Sequence, residues 1–200
     1  MSANVVRTRR LAPNVGWTAG AVAVTVPAAI VLLVVYYAVG GPFGTLNDLA
    51  NALVGVLSAV LAAQTARLGV PSAAVAAAGA GGAVMVVGSW LVITGRAGWV
   101  LAGLVSAVGA ALVGAWLLTL NVVVDRSGTL PRGLTRLGSV SGAVMLLGVL
   151  VVPEILARSD TWEDLRWFGI TGFLGWFGLY LGYPVWCAWL ARAVRQRRTG

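Results

Sequence analysis

Apolar stretches of membrane length recur from one end of this chain to the other, and that pattern constrains the fold more than any single motif. A helix needs about 20 predominantly apolar residues to cross the hydrocarbon core of a bilayer. Six stretches of that kind fit, at roughly 17–39, 47–66, 72–94, 98–121, 138–157 and 168–190. Each is mainly aliphatic and bounded by Gly, Pro or charged residues. All the connections except 122–137 are short, so neighbouring helices should pair as antiparallel hairpins. The expected fold is an all-α membrane protein, a single integral-membrane domain over residues 1–200 built as a bundle of six transmembrane helices. Composition agrees: 59% of the 200 residues are hydrophobic and 10% are charged, where a soluble domain carries about 25% charged residues.

Arginine placement orients the bundle. All fourteen basic residues are Arg. With the N-terminus inside, the cytoplasmic segments hold eleven of them: Arg7, Arg9, Arg10, Arg67, Arg126, Arg132, Arg136, Arg192, Arg195, Arg197 and Arg198. Only Arg96, Arg158 and Arg166 fall outside, the asymmetry that the positive-inside rule requires. Five crossings would place the Arg-rich tail outside, so six crossings with both termini cytoplasmic is the expectation. Eight of the nine Trp fall near predicted helix ends, where aromatic belts sit, and Trp176 alone lies deeper, in the last helix. The segment "RTRR" ahead of an apolar run has the look of a secretory signal, but the run exceeds the usual h-region of about 7–15 residues and contains Pro27. It is read as the first crossing. The bias toward Ala, Val, Gly and Arg points to a high-GC bacterial genome, hence to the bacterial cytoplasmic membrane. The basic ends are orientation signals and contacts for anionic lipid; no Arg–aromatic pattern suggests nucleic acid.

Absent residue types exclude most chemistry. Without Lys there is no side-chain Schiff base, and without His there is no Ser–His base pair, haem ligand or zinc triad. Cys187 is the only cysteine, so no disulfide, CxxC pair or Cys-based metal cluster forms within the chain. No GxGD motif, phosphate loop or metal pattern is present, and no cofactor or metal is expected. Six acidic residues remain, and an enzyme using Asp48 and Glu154 as acid and base is the only catalytic option left.

Small residues should govern helix packing, because lipid supplies no hydrophobic drive for association. Gly175, Gly178 and Gly182 form one stripe on the last helix, and Gly138 with Gly142 makes another GxxxG pair. Packing within one chain is the expected role of these five glycines. The third helix, with its run Ala76–Gly82, is weakly hydrophobic and is expected among other helices rather than against lipid. Pro27, Pro153 and Pro184 lie inside or near the ends of predicted crossings, where each frees a carbonyl and kinks or breaks the helix.

The stretch "GPFGTLNDLAN", residues 41–51, carries the densest polarity beside an apolar run. Thr45 and Asp48 match a capping box, with Thr45 as N-cap and Asp48 three residues on. Asn47 and Asn51 lie one turn apart and begin a small or polar face that continues through Gly55, Ser58, Ala62 and Thr65. That face turns either to another helix, with Asn bonding across it, or to a solute path. Glu154, in the outer part of the fifth helix, either pairs with Arg158 one turn on or enters a cavity. In the loop "RSDTWEDLRW", Ser159 or Asp160 is expected to start a short interfacial helix carrying Trp162 and Trp167.

Two functions follow. One is a transporter or binding subunit for a small solute or ion, with a polar outer vestibule at Asn47, Asp48, Asn51 and Glu154; Asp48 there favours a cation or neutral polar solute. The other is a non-catalytic accessory or scaffold subunit that binds another membrane protein through its Gly-rich helices. The partners are thus the bilayer, together with a solute, a membrane-protein partner or further copies of the chain.

Overall fold

A computed structural model describes residues 12–199 of the protein. Arg7, Arg9 and Arg10 lie outside the described residues, as do the side chains of Arg197 and Arg198. Four long helices come first: α1 (Pro13–Val39), α2 (Phe43–Thr65), α3 (Ser72–Ile93) and α4 (Trp99–Arg126). The fifth apolar stretch is composite, with α5 (Arg132–Leu146), a 3₁₀ turn (Leu147–Val151) and α6 (Val152–Ala157). The last stretch is more irregular, running through α7 (Trp167–Phe173), α8 (Gly175–Phe177), a π turn (Gly178–Gly182) and α9 (Tyr183–Thr199). No strand occurs among the described residues. Five helical segments are long and apolar enough to cross a membrane, so the chain is all-helical and compatible with a multi-pass membrane protein.

Prolines account for many of the boundaries. Pro13 opens α1, while Pro71 and Pro131 stand just before α3 and α5, positions where the missing N–H is of no consequence. Pro153 has no N–H to donate and crowds the preceding turn, and there the helix tightens to 3₁₀. Before Pro184 the backbone instead widens into the π turn, whose closing bond runs from the Tyr183 N–H to the Gly178 carbonyl. Pro27 leaves α1 as one helix of 27 residues. Gly40 and Gly41 turn the chain between α1 and α2 with φ of 70° and 73°, left-handed values that glycine adopts without strain.

Consecutive helices meet glycine against glycine. A Cβ on Gly82 of α3 would lie 2.5 Å from the carbonyl oxygen of Gly55 in α2, and one on Gly55 would lie 2.8 Å from that of Gly82. The same reciprocity joins α3 to α4, where a Cβ on Gly109 would sit 2.6 Å from the Gly81 oxygen. It joins α4 to α5, where Cβ atoms on Gly142 and Gly114 would sit 2.7 and 2.8 Å from the opposing oxygen. Beyond α5 the close approaches continue: a Cβ on Gly178 would lie 2.7 Å from the Ser141 carbonyl oxygen, one on Gly175 3.0 Å from Gly148 N, and one on Gly182 against the Ser141 hydroxyl. Gly138 lies against the side chains of Asn121 and Trp186. All five glycines noted in the sequence therefore face other helices of the same chain. At α1, Gly16 meets Val194 of α9 at 3.2 Å, so the last helix closes back on the first.

The centre of the bundle is α4 rather than α3. In its most apolar window, 67% of α4 is buried, against 33% for α3. The Ala- and Gly-rich helix is peripheral because only its Ala78, Gly81, Gly82, Met85, Gly88 and Ser89 face is used for contact, leaving Ala76, Gly79 and Ala80 exposed. Two tryptophans also depart from the belt pattern. Trp116 and Trp186 are fully buried and meet edge to face at 6.4 Å, and Trp186 Nε1–H donates to Asn121 Oδ1 at 3.0 Å. Trp17, Trp90, Trp162, Trp167 and Trp189 are exposed, as aromatic-belt residues are.

Gly82→Val is therefore expected to destabilise the bundle by about 1–3 kcal/mol or more through overpacking, whereas Gly79→Ala, with nothing within 4 Å of the new carbon, should not. Thermal unfolding followed by a thiol-reactive dye, which reaches buried Cys187 only on unfolding, measures both.

Candidate functional site

The α1–α2 turn, the α3–α4 turn and the loop 158–166 gather at one end of the bundle. The loop is held there by carboxylates. Asp160 accepts from the backbone N–H of Gly98 at 2.8 Å and of Leu101 at 3.1 Å, so it caps the N-terminus of α4 from a distant segment. Fully buried Glu154 accepts from the Ser159 hydroxyl at 2.9 Å and the Arg166 N–H at 2.8 Å. Arg158 is exposed, its backbone left-handed at φ 57°, and the Ser159 hydroxyl and Arg166 amide take the role expected of its guanidinium. Neither Ser159 nor Asp160 starts a helix; the chain is irregular until α7 begins at Trp167.

Over this end lies an aromatic cluster. Trp99 contacts Tyr37 at 6.5 Å and Trp162 at 5.8 Å between ring centroids, and Trp162 packs on Phe173 at 4.9 Å. Beneath it opens a cavity of about 130 Å³ whose walls come from α1, α2, α3, α4, the loop, α7, α8 and the π turn. A second, outer chamber of about 420 Å³ adjoins it and shares Leu33, Asn47, Asp48, Val92 and Trp99. Its rim is formed by Tyr36, Tyr37, Gly41 and Thr45.

The polar face of α2 enters this cavity, but not through a capping box. Helix α2 starts at Phe43, two residues before Thr45, with Pro42 in the N-cap position and no side-chain cap. The Leu46 N–H bonds to the Pro42 carbonyl at 3.0 Å, so Thr45 is already inside the first turn. The Pro42 ring presets φ at −75° and nucleates the helix earlier than the Thr-x-x-Asp pattern implies. Asp48 thereby loses the role that capping assigned to it.

Asn47 and Asn51 are accounted for by bonds between helices. Asn47 Nδ2 donates to the Ala29 carbonyl of α1 at 2.7 Å, Asn51 Nδ2 donates to Asn47 Oδ1 at 3.2 Å, and the Tyr180 hydroxyl donates to Asn51 Oδ1 at 3.0 Å. One relay thus ties α1 to α2 and α2 to the π turn. Two turns deeper, the Tyr183 hydroxyl donates to Ser58 Oγ at 3.1 Å. The Asn47–Asn51 pairing is legible in the sequence as a one-turn spacing, whereas the Tyr180 contact is not, because Tyr180 lies 129 positions away.

Asp48 is different. It lines both chambers, is half-buried, and makes no hydrogen bond or ion pair among the described residues. The other five acids are bonded or exposed: Glu154 and Asp160 as above, Asp125 to Thr135 at 2.6 Å, Asp164 to Thr161 at 2.7 Å, and Glu163 on the surface. Of the four residues expected to form a vestibule, Asn47, Asp48 and Asn51 come together, while Glu154 lies outside both chambers and fastens the loop. Trp176, the one tryptophan set away from the predicted helix ends, stacks on Tyr180 at 5.1 Å and lines the inner chamber.

No protein-family model matches this chain, and no curated protein or solved structure is significantly similar to it. The site is read from its own geometry. No group of three or more His, Cys, Asp or Glu residues able to hold a metal occurs among the described residues.

Three substitutions separate the roles. Glu154→Ala should lower stability by about 1–3 kcal/mol, because the Arg166 N–H and the Ser159 hydroxyl lose their acceptor. Tyr180→Phe should lower it by about 0.6–1.7 kcal/mol, the range for interhelical bonds in membranes. Asp48→Asn should leave it unchanged or raise it, since no protein group depends on that carboxylate. Unfolding midpoints in detergent micelles give all three values.

Proposed function

We propose that this chain is a six-crossing protein of the bacterial cytoplasmic membrane that binds a small solute or cation and carries it through the cavity around Asp48. Both termini are cytoplasmic, and the aromatic-covered end faces outward. The observation that carries this reading is the unpaired Asp48 carboxylate in an otherwise aromatic and small-residue cavity. Placing a charge at membrane depth costs about 2.5–3.5 kcal/mol even on insertion scales, and such charges face a protein interior or a water-filled path. Every other acid in the described chain has a structural partner or full solvent.

A sixth crossing is supported by the path of the chain. Gly169, near the start of α7, lies against Glu154 at the aromatic end, whereas at the far end the Arg195 guanidinium lies 5.4 Å from the Trp17 ring at the start of α1. The segment from Trp167 to Thr199 therefore traverses the full bundle, although its helix is interrupted. Orientation is supported by Arg67, Arg126, Arg132, Arg136, Arg192 and Arg195 on segments at the far end, against Arg96, Arg158 and Arg166 at the aromatic end.

The accessory-subunit reading rests on glycine faces turned toward a partner. Gly178 and Gly182 turn toward Ser141 of the same chain, so those two glycines are engaged within it, and the exposed Ala76, Gly79 and Ala80 face of α3 is the small-residue surface open to such a partner. No catalytic role is proposed, because Asp48 and Glu154 do not share a chamber.

In reconstituted vesicles, Asp48→Asn should abolish solute uptake while the unfolding midpoint stays at or above that of the unsubstituted protein. Uptake that is unchanged in Asp48→Asn would overturn the proposal.

A further inference from the structure

The chemistry of the cavity walls narrows the solute class, and this step rests on the transport reading above. Among the described residues Asp48 is the only charged side chain lining either chamber, so an anion meets repulsion with no compensating base from them. A small hard cation needs about six to eight oxygen ligands to replace its water. Few are free in the inner chamber: Asn47 Oδ1 and Asn51 Oδ1 already accept bonds from Asn51 and Tyr180, leaving chiefly Asp48 and the hydroxyls of Ser89 and Ser106. A neutral polyol would likewise find few unengaged donors and acceptors.

What the inner chamber does offer is π surface. Trp99, Trp162, Phe173, Trp176 and Tyr180 reach it from α4, the loop, α7, α8 and the π turn. Tyr36 and Tyr37 continue that surface into the outer chamber. Aromatic faces attract a cation that sheds water easily, most strongly when the site is desolvated. A carboxylate sharing a chamber with several aromatic rings is the combination that suits an alkylated ammonium group: it supplies the counter-charge without demanding directed hydrogen bonds. The shared walls of the chambers give such a head group an inner seat and leave room outward for a short substituent.

We propose that the Asp48 cavity binds a small organic cation of the substituted-ammonium class, with the head group against the carboxylate and the Trp and Tyr rings. The full chain in detergent micelles is titrated by calorimetry with four probes: choline, benzyltrimethylammonium, sodium chloride, and 3,3-dimethyl-1-butanol, the uncharged carbon isostere of choline. At least one of the two ammonium probes should bind. Choline should exceed its neutral isostere by about tenfold or more, the scale of a desolvated cation–π and counter-charge contribution. Asp48→Asn should weaken ammonium binding by about tenfold or more. Trp176→Leu should weaken it while leaving any binding of the alcohol unchanged, and Phe173→Leu serves as the second aromatic variant should Trp176→Leu unfold.

The organic-cation assignment is overturned if the alcohol binds as tightly as choline, or if Asp48→Asn retains full ammonium affinity. It is also overturned, with the solute site itself intact, if sodium or the alcohol binds in an Asp48-dependent manner and neither ammonium probe does. If none of the four binds to protein that unfolds cooperatively, the organic-cation assignment is overturned, while the transport reading is decided separately by whether uptake depends on Asp48.

Discussion

Backbone-to-backbone contact at glycine sets the spacing of this bundle. Three successive helix pairs, α2 with α3, α3 with α4 and α4 with α5, meet at reciprocal glycines whose missing Cβ atoms leave room for the opposing carbonyl. In hydrocarbon no water is released when helices associate, so close approach and the dispersion contacts it permits carry much of the association. The close approach of α3 and α4 persists to the level of the cavity, where a Cβ on Gly88 would lie 2.9 Å from the Ala102 carbonyl oxygen and both residues line the inner chamber.

The irregular last segment serves the same site. Interruption at Leu174 and the π turn at Gly178–Gly182 reset the helix phase shortly before Pro184. In that register Trp176 and Tyr180 stack and line the cavity, while Tyr183 and Trp186 stack deeper in the core. The interruption lines the cavity through Trp176 and Tyr180, a setting in which irregular backbone is tolerated even at membrane depth. The loop 158–166 is no free lid, since Asp160 caps α4 and Glu154 holds the Arg166 amide. Two of the six acids thus build the roof of the chamber in which a third, Asp48, stands unpaired.

Residues that repeat along one helix were easier to read than residues that meet across helices. The stripe from Asn47 to Thr65 was visible from spacing alone, and Asn47, Asn51, Gly55, Ser58, Ala62 and Thr65 are all buried. Thr45–Asp48 matched a capping pattern, yet Pro42 starts the helix sooner and the cap does not form. Trp116 and Trp186 lie near predicted helix ends in the sequence, where an aromatic belt is expected, yet they are core residues because each packs against the other. The weak hydrophobicity of α3 suggested a central position, but one glycine face suffices for its two neighbours and the other faces outward.

The amino-acid sequence by itself determined the helical class, the five long apolar segments and the amphipathic logic of α2, since these depend on composition and on a period within one helix. It also limited the chemistry, for a chain without Lys or His and with a single Cys has few reactive groups to offer. Only the tertiary structure decided which polar residues are satisfied. Asn47, Asn51 and Glu154 find partners 18, 129 and 12 positions away, and Asp48 finds none. That distinction depends on contacts between segments far apart in the chain, which no local spacing encodes, and it separates the polar residues that tie helices together from a carboxylate that ties to none among the described residues.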